Sequence, residues 1–293
     1  VTGIRPAVAD TVLIARARRA LADGPLEATE LLGHVLALPG APPRVAARLA
    51  QALLGTYPEF TRDAADVWAL RTTAGPAVLD QAPELRALRY AVVDCETTGS
   101  SLRYGDRVTE IAIVPVDDGV VGEPFVALLN PDRPIPPAIM ALTRITHEMV
   151  RGAPRFHEVA TAVADRLTDR VFVAHNANFD WRFVCGEMER ARGVELRGER
   201  VCTVRLMRAL LPQLRRRTLD SLAAYFGIEI IQRHRAGPDA MATAHAFSRL
   251  LGLAAEQGFT TWPLLSARLD RRTAKARRRR RAMPHSMDFD PTL

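Results

Sequence analysis

Residues 92–99 read Val-Val-Asp-Cys-Glu-Thr-Thr-Gly, an apolar run interrupted by two acids one residue apart. No other stretch constrains the chain as much. Side chains alternate faces along a strand, so Asp94 and Glu96 share one side while Val93 and Cys95 take the other. Two carboxylates at the end of a buried strand repel each other and lose hydration, so their charged forms need a compensating cation. A divalent metal is the economical choice. The bland alternative is a strand ending in a polar turn of Thr97, Thr98 and Gly99. On eight residues alone both readings stay open.

A chain of 293 residues is long enough for one or two domains with a sizeable core. No apolar run approaches the roughly 20 residues of a membrane span, and the first residues lack a signal-peptide pattern. Cys95, Cys185 and Cys202 are scattered among apolar residues with no CxxC pair, which argues against a disulfide framework or a zinc knuckle. These features point to a cytoplasmic protein with no membrane partner.

Residues 10–54 carry three apolar helical faces, the last opened by Pro42-Pro43 and closed by Gly55. Phe60-Thr61-Arg62 and Val67-Trp68-Ala69-Leu70, around a polar Asp63–Asp66 turn, suit a β-hairpin. Three helices and a hairpin make residues 1–70 a small, mostly helical, winged-helix-like domain. Such modules bind duplex DNA or serve as docking units. No arginine cluster marks a recognition helix here. Residues 71–88 read as a linker.

The pattern then changes. Tyr90 to Cys95, Thr109 to Val116 and Pro124 to Leu129 are strand candidates, with a hairpin turn at Asp117-Asp118-Gly119. Further strands near Val171–Ala174 and Val201–Val204 alternate with helical patterns, the last from Ala240 to Gln257. This is an α/β domain over residues 89–270, built on one mixed five-stranded sheet with flanking helices.

Two further segments carry chemistry. Val173-Ala174-His175-Asn176-Ala177-Asn178-Phe179-Asp180 takes a buried strand through a polar loop into a helix, with Asp180 near the first turn. His234-Arg235-Ala236-Gly237-Pro238-Asp239 leads into the last helix. Helix capping alone would explain either aspartate. Taken together, three acidic sites fall at strand or helix ends, where an α/β sheet gathers its functional groups. Four carboxylates without thiolates suit hard cations, Mg²⁺ or Mn²⁺. A histidine, with an ordinary pKa of about 6.5, can take a proton near neutrality.

The segments VVDCETTG, VAHNANFD and HRAGPDA resemble the three ordered motifs of the DEDDh 3′–5′ exonucleases, a family that includes the epsilon proofreading subunit of bacterial DNA polymerase III. ITHEMVRGAP, CTVRLMRALLP and TLDSLAAYFGI fit between them, so the resemblance covers about residues 89–260. It implies an RNase H-like fold and two Mg²⁺ (or Mn²⁺) ions. Asp94 would bridge the metals, Glu96 and Asp239 would complete the site holding the attacking water, Asp180 would hold the second metal, and His234 would be the general base. Thr97, His175 and Asn178 are the candidate contacts to substrate. Single-stranded DNA 3′ ends are the expected partner, in replication proofreading or repair. RNA trimming is the near alternative, and a DNA-binding regulator with an inert exonuclease domain the distant one. Two departures from the family pattern stand out. Gly237 takes the place of a usual Leu, implying looser packing of the loop that places His234, and Arg144 stands where Gly is common.

The positive charge is local. Arg268 to Arg281 holds nine basic residues and one acid; the rest of the chain has 31 basic and 32 acidic residues. Arg277, Arg278, Arg279, Arg280 and Arg281 form a solvated run in a disordered tail, 271–293, suited to tethering nucleic acid. Ser286-Met287-Asp288-Phe289 faintly resembles a sliding-clamp peptide, with Pro284 in place of the usual Gln. A sliding clamp or a DNA polymerase is thus a candidate partner.

Overall fold

The computed structural model describes residues 3–8, 12–55, 57, 59–70 and 82–269. Its first elements are β1 (Arg5–Val8), α1 (Val12–Ala20), β2 (Leu26–Glu27), α2 (Ala28–Leu36), α3 (Pro43–Leu54), β3 (Phe60–Arg62) and β4 (Val67–Leu70). The three helices close on Ile14, Leu31, Leu32, Val35, Leu54 and Trp68. The hairpin is tied by Asp63 Oδ1, which accepts the N–H groups of Ala65 and Val67, each at 2.9 Å. β2, too short to show a periodicity, adds a third strand in the order β2-β4-β3.

The larger part continues with β5 (Tyr90–Thr97), β6 (Val108–Asp117), β7 (Val120–Val121), β8 (Phe125–Leu128), α4 (Pro137–Thr143), α5 (His147–Arg151), α6 (Phe156–Leu167) and β9 (Val171–Ala174). After these come α7 (Ala177–Arg192), β10 (Val194–Arg197), β11 (Arg200–Cys202), α8 (Thr203–Leu210), α9 (Leu219–Phe226) and α10 (Ala236–Glu256). The sheet runs β11-β9-β5-β6, with β7 and β8 both paired to β6. β5 is antiparallel to β6 and parallel to β9, so the sheet is mixed. It has six strands where five were expected. The Asp118-Gly119 turn, with φ of 52° and 78°, starts β7. Gly122 to Pro124 then interrupts the ladder, and pairing to β6 resumes at β8.

Strand alternation divides the core. Ala91, Val93, Cys95, Ile111, Ile113 and Phe172 pack under α6 and α7. Tyr90, Val92, Ala112, Val114 and Val173 pack under α8, α9 and α10. Cys95 is therefore a core thiol, as its place between two outward acids requires, and burial pushes its pKa well up.

Two domain edges differ from the expectation. β1 does not join the helical unit; it pairs antiparallel with β10, and Ile4 is fully buried in the core under α6 and α7. At the other edge, residues 82–88 are not free linker. Leu85 is buried, its N–H donates to Thr260 at 2.7 Å, and its carbonyl accepts the Tyr90 hydroxyl at 2.6 Å. The rest of the linker, 71–81, and the tail with its arginine run, 271–293, lie outside the described residues. Among the described residues no helix is long and apolar enough to cross a membrane.

Candidate active site

The C-terminal end of β5 and the first turns of α7 and α10 meet in one cleft. Its lining includes Asp94, Glu96, His175, Asn176, Phe179, Asp180, Leu219, Arg233, His234 and Asp239. The sequence motifs thus converge although they lie up to 145 positions apart. One carboxylate oxygen from each of Asp94, Glu96 and Asp239 lies within 4.8 Å of the other two. Asp180 faces them from α7. Its Oδ1 accepts the Cys95 N–H at 3.1 Å, so its carboxylate is bound to β5, which a helix cap would not be. Asp239 combines both roles, since its Oδ2 accepts the His234 N–H at 3.1 Å and fastens the loop before α10.

Burial dominates the electrostatics. Removal from water, then the charges of Asp180, Glu96 and Asp239, hold the Asp94 carboxyl well above the ordinary carboxylate range. Burial, then Asp239 and Glu110, pushes Glu96 up to about 7. Burial lifts Asp180 to about 8 and raises Asp239 as well, the latter opposed by the Arg233 guanidinium. Such a set is short of positive charge. Asp239 Oδ1 is buried with no hydrogen-bond partner, an unmet acceptor on a member of the cluster. Oxygen-only donors with an orphaned carboxylate oxygen fit a divalent cation.

His234 is held in the left-handed region, φ 62°, where a histidine is uncommon. The backbone on either side is fixed from different directions. Arg144 Nη2 donates to the Arg233 carbonyl at 2.6 Å. Arg235 forks onto the buried Glu110, with Nη2 to Oε1 at 2.5 Å, and the Ala236 N–H donates to Glu110 Oε2 at 2.8 Å. Arg144 itself ends α4 with φ 61°, which explains why Gly suits that position and shows what the arginine adds. The looseness expected at Gly237 is not found. Val126 of β8 fills the space, and a Cβ on Gly237 would meet its Cγ2 at 3.2 Å.

The three candidate substrate contacts fall differently. His175 lines the cleft, but both ring nitrogens are engaged, with Thr203 Oγ1 at 2.9 Å and the Arg217 carbonyl at 3.1 Å. Burial depresses its pKa. A neutral ring with Nε2–H donating to the carbonyl satisfies both partners. The Thr97 hydroxyl donates to the Gly99 carbonyl at 2.5 Å. Asn178 is exposed and not among the residues lining the cleft; Asn176 lines it instead. Sequence reasoning missed Arg233, which pairs with Asp239 and, through Nε at 2.6 Å, with Asp220. Its place directly before His234 was the available signal.

The mixed sheet carries paired acids on a central strand, and these face acids at two helix starts. The chain belongs to the Exonuclease (RNase_T) family, whose profile matches residues 91–247. Among relatives, it is 34% identical over 196 residues to the PolC-type DNA polymerase III of Staphylococcus haemolyticus (strain JCSC1435). It is 38% identical over 170 residues to the PolC-type enzyme of Bacillus subtilis (strain 168). These matches cover 67% and 58% of the chain but only 14% and 12% of those much longer polymerases. Among solved structures, E. coli Exonuclease I in complex with a dT13 oligonucleotide aligns with TM-score 0.50 and 21% identity, over 58% of this chain and 42% of that one. That likeness carries the RNase H-like fold.

Proposed function

We propose that the chain is a DEDDh-type 3′–5′ exonuclease, similar to the epsilon proofreading subunit, that removes nucleoside 5′-monophosphates from the 3′ end of DNA. The observation that carries this is the convergence of Asp94, Glu96 and Asp239 within 4.8 Å, with Asp180 and His234 on the same cleft. Asp94, Glu96, Asp239 and Asp180 would hold two Mg²⁺ or Mn²⁺ ions. When bound, these supply Lewis-acid stabilisation of the attacking and leaving oxygens of an in-line displacement. His234 takes the proton of the attacking water. Glu110 and Arg235 keep that histidine's loop seated, and His175 braces the Arg217 backbone at the edge of the cleft.

The relatives are PolC-type DNA polymerase III chains, which favours DNA over RNA and a role in proofreading or repair, in concert with a polymerase or sliding clamp. Residues 12–70 are then an accessory winged-helix-like unit, and β1 with residues 82–269 the catalytic one. The test is hydrolysis of 5′-labelled single-stranded DNA and RNA of equal sequence, with Mg²⁺ and with excess chelator. Mononucleotide release from the 3′ end of DNA, lost in chelator and in the Asp94→Ala, Glu96→Ala double variant, is expected. Faster cleavage of RNA would overturn the DNA assignment. Activity surviving the double variant would place the site elsewhere.

A further inference from the structure

Among the described residues, Arg233 is the one arginine or lysine that lines the acidic cleft. It is anchored from both ends: its carbonyl accepts from Arg144, and its guanidinium spans Asp239 Oδ2 and the exposed Asp220. Oδ2 of Asp239 already accepts the His234 N–H, so one oxygen of this carboxylate is crowded while Oδ1 stays bare and buried. A divalent cation among Asp94, Glu96 and Asp239 would share Asp239 with the guanidinium, placing like charges a few ångströms apart. The two occupants oppose each other. Once the carboxylates are neutralised by metal, the guanidinium keeps its tie to Asp220 and needs a new anion in the same cleft. In an exonuclease that anion is a substrate phosphate, which a guanidinium engages in fork geometry.

We propose that Arg233 is a two-position residue: it serves as the internal counter-cation on Asp239 in the metal-free protein, and moves to a phosphate oxygen of the nucleic acid once metal takes Asp239. This rests on reading Asp94, Glu96 and Asp239 as a divalent-cation site. Metal and arginine then alternate on one carboxylate, so metal loading prepares the phosphate contact.

The 293-residue chain is titrated with Mn²⁺ alone, followed by electron paramagnetic resonance, as wild type, Arg233→Gln and Arg216→Gln. Arg216→Gln makes the same charge change on an exposed arginine outside the cleft lining. Arg233→Gln should bind Mn²⁺ about tenfold more tightly, within the ordinary range of site-to-site coupling, and Arg216→Gln within about twofold of wild type. At saturating Mn²⁺, Arg233→Gln should raise KM for single-stranded DNA about tenfold with a smaller change in kcat, and Arg233→Lys should recover part of it. Circular dichroism melting shows whether Arg233→Gln stays folded, and Arg233→Lys gives the same Mn²⁺ comparison with charge retained. Unchanged or weaker Mn²⁺ binding in a folded Arg233→Gln would overturn the counter-cation position. An unchanged KM would overturn the phosphate position. Wild-type protein that binds no Mn²⁺ would overturn the metal-site reading itself, a result distinct from the other two.

Discussion

Asp94→Asn should make the metal-free protein more stable while removing its activity. The substitution keeps shape and removes one charge from a cluster whose nearest oxygens lie within 4.8 Å. At that distance two full charges oppose each other by about 3 kcal/mol at an effective dielectric of 20. The pH dependence has a definite sign. Asp94 and Glu96 titrate in the fold above their ordinary range, Glu96 at about 7 against 4.5. Between those values the folded chain holds protons that the unfolded chain has released. Stability is therefore full below the ordinary carboxylate range and falls as pH rises through the folded value. For Glu96 alone the loss is about 3 kcal/mol by pH 8. Asp94 adds its own, which the asparagine abolishes. In urea denaturation with chelator, Asp94→Asn should exceed wild type by about 2 to 4 kcal/mol at pH 8 and by under about 1 kcal/mol at pH 4. Mg²⁺ at a hundred times its Kd should return about 2.7 kcal/mol to wild type and little to the variant. Equal stability of the two proteins at pH 8, or a gap that widens as pH falls, would refute this account.

His234→Gln should lower kcat by roughly 10²- to 10⁴-fold while Mn²⁺ affinity stays within about twofold, because the ring is outside the carboxylate cluster; single-turnover kinetics and metal titration check the pair. Glu110→Gln breaks a nearly buried ion pair and should cost about 3 kcal/mol or more in chemical denaturation, with slower catalysis as the loop before α10 loses its anchor. Cys95→Ala should cost about 1 kcal/mol and leave the exonuclease rate intact, since its side chain points into the core under α7.

The paired acids were legible because a period of two is a local property: Asp94 and Glu96 could point only one way if Cys95 pointed the other. The starts of α7 and α10 were legible for the same kind of reason. The choice between capping and site chemistry was not local. Asp180 is bound to the Cys95 N–H of β5, a contact 85 positions away that no window of sequence contains. β2 and β7, two residues each, are too short to carry a periodicity, and β10 is recognisable only through its partner β1. Apart from its place beside His234, Arg233 offered little to read, because a surface arginine and a cleft arginine look alike in sequence. What separates them is the left-handed turn at His234 and the grip of Arg144 on the preceding carbonyl.

The pairing of β1 with β10 also sets an order of events. Arg5 finds its partner at Arg197, so β1 has nothing to dock on until the helix α7 and the strand after it have formed. Loop-closure entropy makes contacts of that sequence separation slow. The helical unit between them can fold early on its own core while β1 is still undocked. Closing β1 onto β10 then works as a late fastening, with Ile4 as the stud that seats it. A chain caught before that step would expose the edge of β10 and the empty seat of Ile4, and it is in this window that protease sensitivity during refolding should concentrate.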